Sequence, residues 1–216
     1  MRGALFIVIV VALCAWGCDG EVSGDGDAGG ARADGGAPID GGGTPIDSGG
    51  TTVDAGAPVT GCSAVGLELI ELVNAYRAEN GLPAIPASPS LCIVSSAHTR
   101  DLADHSPHTA PGCNLHSWSD QGEWSACCYT SDHARASCMW DKPRELTTYP
   151  GNGYENAYRG SSDPAAALAG WMGSPGHNDV ILNRGTWSSQ PWRALGADVH
   201  SGFAVLWFGR EVDPAR

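Results

Sequence analysis

The stretch "GWMGSPGHNDVILN", residues 170–183, decides how the rest of the chain is read. Ser174, Pro175 and Gly176 turn the chain sharply, and the apolar run Val180–Ile181–Leu182 behind them predicts a short helix over 177–183. His177 falls in its first turn, where the helix dipole disfavours a protonated imidazole. The neutral ring is the form that binds metal. A histidine at such a place also serves simply to cap or brace a loop, so its role depends on what meets it.

The segments on either side carry strong signals. "SSDPAAALAGWM" (161–172) predicts a helix capped by Ser162 or Asp163, with Pro164 in the first turn, Leu168 and Trp171 inward, and its end at Gly173. Downstream, "ALGADVHSGFAVLWFGREV" (194–212) holds two apolar runs around Ser201-Gly202 and reads as a β-hairpin. Earlier, Leu69, Leu72, Val73 and Tyr76 recur at helical spacing in 63–82, with Ser63 as cap and Gly81 as stop. A proline-rich extended link leads to a second helix over 89–105, where Leu91, Val94, His98 and Leu102 share a face. On that apolar face His98 reads as a satisfied core residue, while His133 and His200 read as exposed. Helices first, a closing strand pair and further strands in the middle indicate an α+β domain.

Residues 106–153 are broken by Pro, Gly and Cys, and "CNLHSWSDQGEWSACCYTSDHARASCMW" (113–140) reads as an irregular, disulfide-pinned loop. Of eight cysteines, Cys14 and Cys18 lie in the N-terminal eighteen residues. Cys62, Cys92, Cys113, Cys127, Cys128 and Cys138 remain, and an even number in an exported domain argues for three disulfides of open pairing. A thiolate zinc site is the rival reading, but paired C-x-x-C units are missing.

Export is indicated by residues 1–18, "MRGALFIVIVVALCAWGC": a positive Arg2, a short apolar stretch, and small Gly17 before Cys18. Ala15-Trp16-Gly17-Cys18 resembles a bacterial lipobox, which implies a lipoprotein signal peptide with Cys18 acylated. The protein is then expected in the cell envelope, lipid-anchored to the inner or outer membrane, or secreted if the lipobox is not used. Residues 19–60 lack aromatics and repeat Gly and Asp loosely, which predicts a disordered tether in preference to a calcium-binding repeat. The folded domain is expected over 61–216. It carries sixteen acidic against ten basic residues, a net of -6, so nothing favours nucleic acid or anionic headgroups as partners.

Five segments in order point to one family. They are "ELVNAYRAENGLPAI" (71–85) with "AHTRDLA" (97–103), "CNLHS" (113–117), "GYENAYRG" (153–160), the opening stretch, and "LGADVHSGFAVLWFG" (195–209). They resemble the CAP superfamily of cysteine-rich secretory, antigen 5 and pathogenesis-related 1 proteins, also called SCP domains. The resemblance implies a three-layer α-β-α sandwich, here with a disulfide-rich insertion. It also implies a cleft of two histidines and one or two glutamates, whose imidazoles commonly bind zinc or another divalent cation in the family. Carried over, these are His116, His177 and Glu155, with His105 and His108 as alternatives for the first histidine. Pro175 stands where the second glutamate often lies. His116 and Glu155 lie 39 residues apart, and the cysteine-rich stretch between them is the insertion over one edge of the cleft.

Three functions compete. The first is a tethered module binding a divalent cation and an unidentified ligand (lipid, polymer or protein). The second is a metal-dependent, peptidase-like hydrolase with Glu155 as base to a metal-bound water. The third is an interaction protein acting through the insertion. The missing second glutamate weighs against catalysis. Ser117 beside His116 does not make a nucleophile pair, since adjacent side chains seldom face each other. Seven tryptophans outside the signal, among them Trp118, Trp124 and Trp140, are read mostly as core packing.

Overall fold

The computed structural model describes residues 61–189 and 191–215. Residues 1–60, on which the expected signal peptide with Cys18 and the expected tether fall, lie outside the described residues. Helices α1 (Ala64–Glu79) and α2 (Pro89–His105) come first. Ser63 caps α1 by accepting from the Gly66 amide at 3.0 Å. Ser88 caps α2 in the same way through Leu91, and Pro89 opens it.

Strand β1 (Gly153–Arg159) follows the insertion. The insertion itself holds two short helices that the sequence reading missed, α3 (Ser137–Trp140) and α4 (Lys142–Leu146). Each is little more than one turn, too short for a periodic apolar face to show. Helices α5 (Pro164–Gly173) and α6 (Pro175–Ile181) lead to β2 (Ala194–His200) and β3 (Phe203–Gly209). Asp163 caps α5 through Ala165, as expected of one of the two candidates.

The three strands form an antiparallel sheet in the order β1-β3-β2, with Glu155 opposite Trp207 and Gly196 opposite the same residue from β2. Ser201 and Gly202 both take positive φ (49° and 82°), which suits a two-residue hairpin turn. Alternate side chains enter two cores. Leu195, Ala197, Leu206 and Phe208 pack with α1, α5 and α6, while Ala157, Val205 and Trp207 pack with α2 and the insertion. The result is the three-layer arrangement, with the sheet in the middle.

Disulfides tie the outer segments down. Cys62–Cys92 joins the approach to α1 with α2, and the adjacent Cys128 and Cys127 go to different partners, Cys113 and Cys138. Short loops of this size gain roughly 3 kcal/mol each from closure in the unfolded chain. Trp118 and Cys127 add a pair of backbone hydrogen bonds, of 2.7 and 3.0 Å, inside the insertion. Among the described residues, no helix is long and apolar enough to cross a membrane.

Strand β2 sits unusually close to α2. A Cβ on Gly196 would lie 2.2 Å from the backbone carbon of Leu91, so only glycine permits this approach. Gly196→Ala is expected to lower stability by about 3 kcal/mol, the upper range of core overpacking. Urea unfolding measures it, and a change below about 0.5 kcal/mol would contradict the packing described.

Candidate functional site

The edge strand β1 organises the site through two neighbouring residues. Glu155 points to the α2 face and Asn156 to the α6 face, as strand alternation requires. Each holds one histidine-bearing segment.

On the first face, Glu155 Oε1 lies 2.5 Å from His98 Nδ1 and Oε2 lies 2.8 Å from His116 Nδ1. The Glu155 and His98 side chains are fully buried. His98 Nε2 meets the Ser117 carbonyl at 3.0 Å. The ring thus sets one nitrogen against the carboxylate and the other against a carbonyl, the arrangement of a charge-bearing partner for Glu155. It stacks on Trp118 at 4.2 Å with the planes 8° apart, and Trp207 presents an edge to it. Burial pushes the Glu155 carboxyl upward, but the His98 charge and the hydrogen bonds from His116 and His98 outweigh it. The carboxyl is held below its ordinary range and stays ionised.

His116 is delivered by the insertion, with its backbone N–H bonded to Asn114 Oδ1 and its ring against Tyr129. Because Glu155 only accepts, His116 Nδ1 carries the proton and its Nε2 faces away from the carboxylate. His105 and His108 do not reach Glu155. His105 is exposed, and His108 turns toward Arg159 and the Phe203 ring.

On the second face, Asn156 Nδ2 donates to the His177 carbonyl at 3.1 Å and fixes α6. The helix begins at Pro175, two residues earlier than the sequence pattern suggested, with Pro175 supplying its first residue. His177 Nδ1 is hydrogen-bonded to Ser174 Oγ at 2.8 Å. Burial, then the charge of His116, lower its pKa to about 4, so the ring is neutral at pH 7. These causes displace the helix dipole as the reason for neutrality. The charge of His116 is felt at His177, so the two rings lie within electrostatic reach of each other. Among the described residues, no protein group hydrogen-bonds to Nε2 of either ring.

Other residues resolve plainly. Ser117 is buried, with its hydroxyl accepting from the Asn114 and Tyr129 amides, a bracing role for the insertion. Trp118 is core, while Trp124 and Trp140 are half-buried against it. His133 is exposed and bonds the Tyr129 hydroxyl, whereas His200, read as exposed, is half-buried in β2. His98 is a satisfied core residue as expected, yet it is also the charged partner of Glu155. The only available signal was a histidine on an otherwise apolar helix face.

The sequence profile of the cysteine-rich secretory protein family (CAP) matches residues 70–188, more than half of the chain. The chain belongs to this family. Among solved structures, this CAP domain is similar to an extracellular SCP-domain protein of Bacillus anthracis strain Ames, at 21% identity over 68% of this chain and a TM-score of 0.46. It is also similar to a cysteine-rich secretory protein of Staphylococcus aureus Mu50, at 20% identity over 67% and a TM-score of 0.43. The chain covers 40% and 38% of those two proteins. No curated protein matches it significantly.

Two outcomes follow for the CAP domain. Glu155→Gln strands the buried His98 charge and is expected to destabilise by about 3 kcal/mol or more. A double-mutant cycle with His98→Gln should show coupling above about 1 kcal/mol, and simple additivity would contradict the ion pair. In the metal-free protein, the unfolded chain protonates His177 near pH 6.5 but the folded chain only near 4. Stability should therefore fall as pH drops through that window, by at most about 3 kcal/mol from this group. His177→Gln should flatten that part of the pH–stability curve, and an unchanged slope would argue against a buried neutral ring.

Proposed function

We infer that this chain is an exported binding module whose cleft presents the His116 and His177 Nε2 atoms to a divalent cation, such as zinc, and through it to a ligand. One observation carries the reading: both rings are fixed through Nδ1, which leaves the two Nε2 atoms without a protein hydrogen-bond partner among the described residues. A carboxylate behind a histidine is the usual outer support of a metal-binding imidazole, and Glu155 fits that role.

The donor set limits what such a site does. Among the described residues, no group of three or more His, Cys, Asp or Glu side chains is set to hold a metal ion. The residues fit an ion with two protein ligands, His116 and His177, and the rest of its shell open. Hydrolytic zinc sites commonly use three protein ligands. A bound divalent ion would supply a Lewis-acidic point for an oxygen or nitrogen donor of the ligand. Glu155 gives both oxygens to imidazoles and has zero side-chain exposure, which disfavours it as a base toward water. Binding is therefore favoured over hydrolysis.

Export is supported by three disulfides and by the signal-like residues 1–18. The lipobox-like Ala15–Cys18 supports anchoring through acylated Cys18, with residues 19–60 as tether.

Calorimetric titration of the oxidised protein with zinc tests the site. The expected result is one ion per chain, lost in His116→Ala and in His177→Ala and retained in His108→Ala. Glu155→Gln, if folded, should weaken binding by roughly 10- to 100-fold. A wild-type protein that takes up no divalent ion would sink the metal part of the proposal.

A further inference from the structure

A second cavity lies where β1 begins and β3 ends. It measures about 270 Å³ and is lined by Arg144, Gly151, Asn152, Tyr154, Arg210 and Glu211. Its lining brings together two guanidinium groups, one carboxylate and the Tyr154 ring. The Arg210 guanidinium sits 4.6 Å above the Tyr154 ring. The other neighbours of that ring are Trp140, Trp187 and Trp192, at centroid distances of 5.9, 5.4 and 5.6 Å.

Arg210 is the unusual member. Stacking holds it in place, yet among the described residues it has no hydrogen bond or ion pair. Its Nε is shielded from water with no acceptor opposite. Arg144 differs, being held by Asp141 and Asn152. Guanidinium groups are rarely left without an acceptor, because each unmet N–H has surrendered its water. Glu211, on the rim, is exposed and forms no pair with Arg210. With Arg144 paired to Asp141, Arg210 is the guanidinium of the cavity that no carboxylate engages among the described residues.

We propose that this cavity is an oxyanion site, in which Arg210, supported by Arg144 and Asn152, takes the carboxylate or phosphate of a small ligand. The planar fork of arginine matches either group. Tyr154 and Asn156 share one face of β1, roughly 7 Å apart, and Asn156 holds α6 with His177. The anion site stands on its own residues and needs no metal.

The test uses the oxidised, metal-free protein and three probes: inorganic phosphate, glucuronate, and neutral glucose. Titrations are followed by the arginine Nε–H signals in nitrogen-edited NMR and by the shift in melting temperature. Expected is saturable binding of phosphate, glucuronate or both, with movement of the Arg210 Nε–H signal and no response to glucose. Glucuronate alone identifies a carboxylate ligand, and phosphate alone a phosphorylated one. Arg210→Gln should weaken anion binding at least about tenfold, and Arg210→Lys should restore part of it. The proposal is overturned if neither anion binds, if glucose binds equally well, or if Arg210→Gln lowers the melting temperature while leaving anion affinity unchanged. The last result would make Arg210 a brace for Tyr154 only. Zinc binding by the histidine pair is measured separately, so either site can fail without the other.

Discussion

The Glu155 carboxylate, buried between two imidazoles, is the interaction on which the remaining geometry depends. Removing a charge from water is expensive, and this one is tolerated because His98 is a matching cation and His116 supplies a second hydrogen bond. The pair joins α2, β1 and the insertion at one point. His116 is thus placed by a residue of the sheet, and the loop that carries it need only bring it near.

The insertion is built for that delivery. Its Cys113–Cys128 and Cys127–Cys138 bonds gather the chain on both sides of His116 into a compact unit. Ser117 closes the same turn through backbone contacts and offers its carbonyl to His98. Trp118, the next residue, covers the His98 ring. Three consecutive residues therefore supply the outward donor, the acceptor and the lid of one buried charge. Without that cover, His98 would be solvated and its hold on Glu155 weakened.

Much of this fold was legible because its signals are local. Ser63 and Asp163 stand where caps belong, Ser201-Gly202 marks the hairpin, and the spacing of Leu69 and Val73 marks the buried face of α1. His116, His177 and Glu155 were found through motif resemblance, since nothing local separates them from capping or surface residues. What stayed hidden depends on distance. His98 and Glu155 are 57 residues apart, and no pattern in either segment announces the other. The distinct partners of adjacent Cys127 and Cys128 follow from the path of the insertion, as do the one-turn helices α3 and α4. Arg210 follows directly on an apolar strand and looks like a surface residue until the Tyr154 ring beneath it is seen.

The alternation of Glu155 and Asn156 has a consequence for variation in the domain. Strand β1 is paired only with β3, in a register that sets Glu155 opposite Trp207. A slip of one residue would exchange the two faces, turning the carboxylate toward α6 and the amide toward His98. The site is thus digital with respect to the strand: it is whole in one register and dismantled in the next, with no intermediate setting. Length changes upstream, between Trp118 and Tyr149, are absorbed by loop and disulfide geometry before the chain reaches Gly153. Beyond Gly153 a single added or lost residue dismantles it. The segment that looks most variable is therefore the tolerant one, and two neighbouring strand residues, Glu155 and Asn156, carry the constraint.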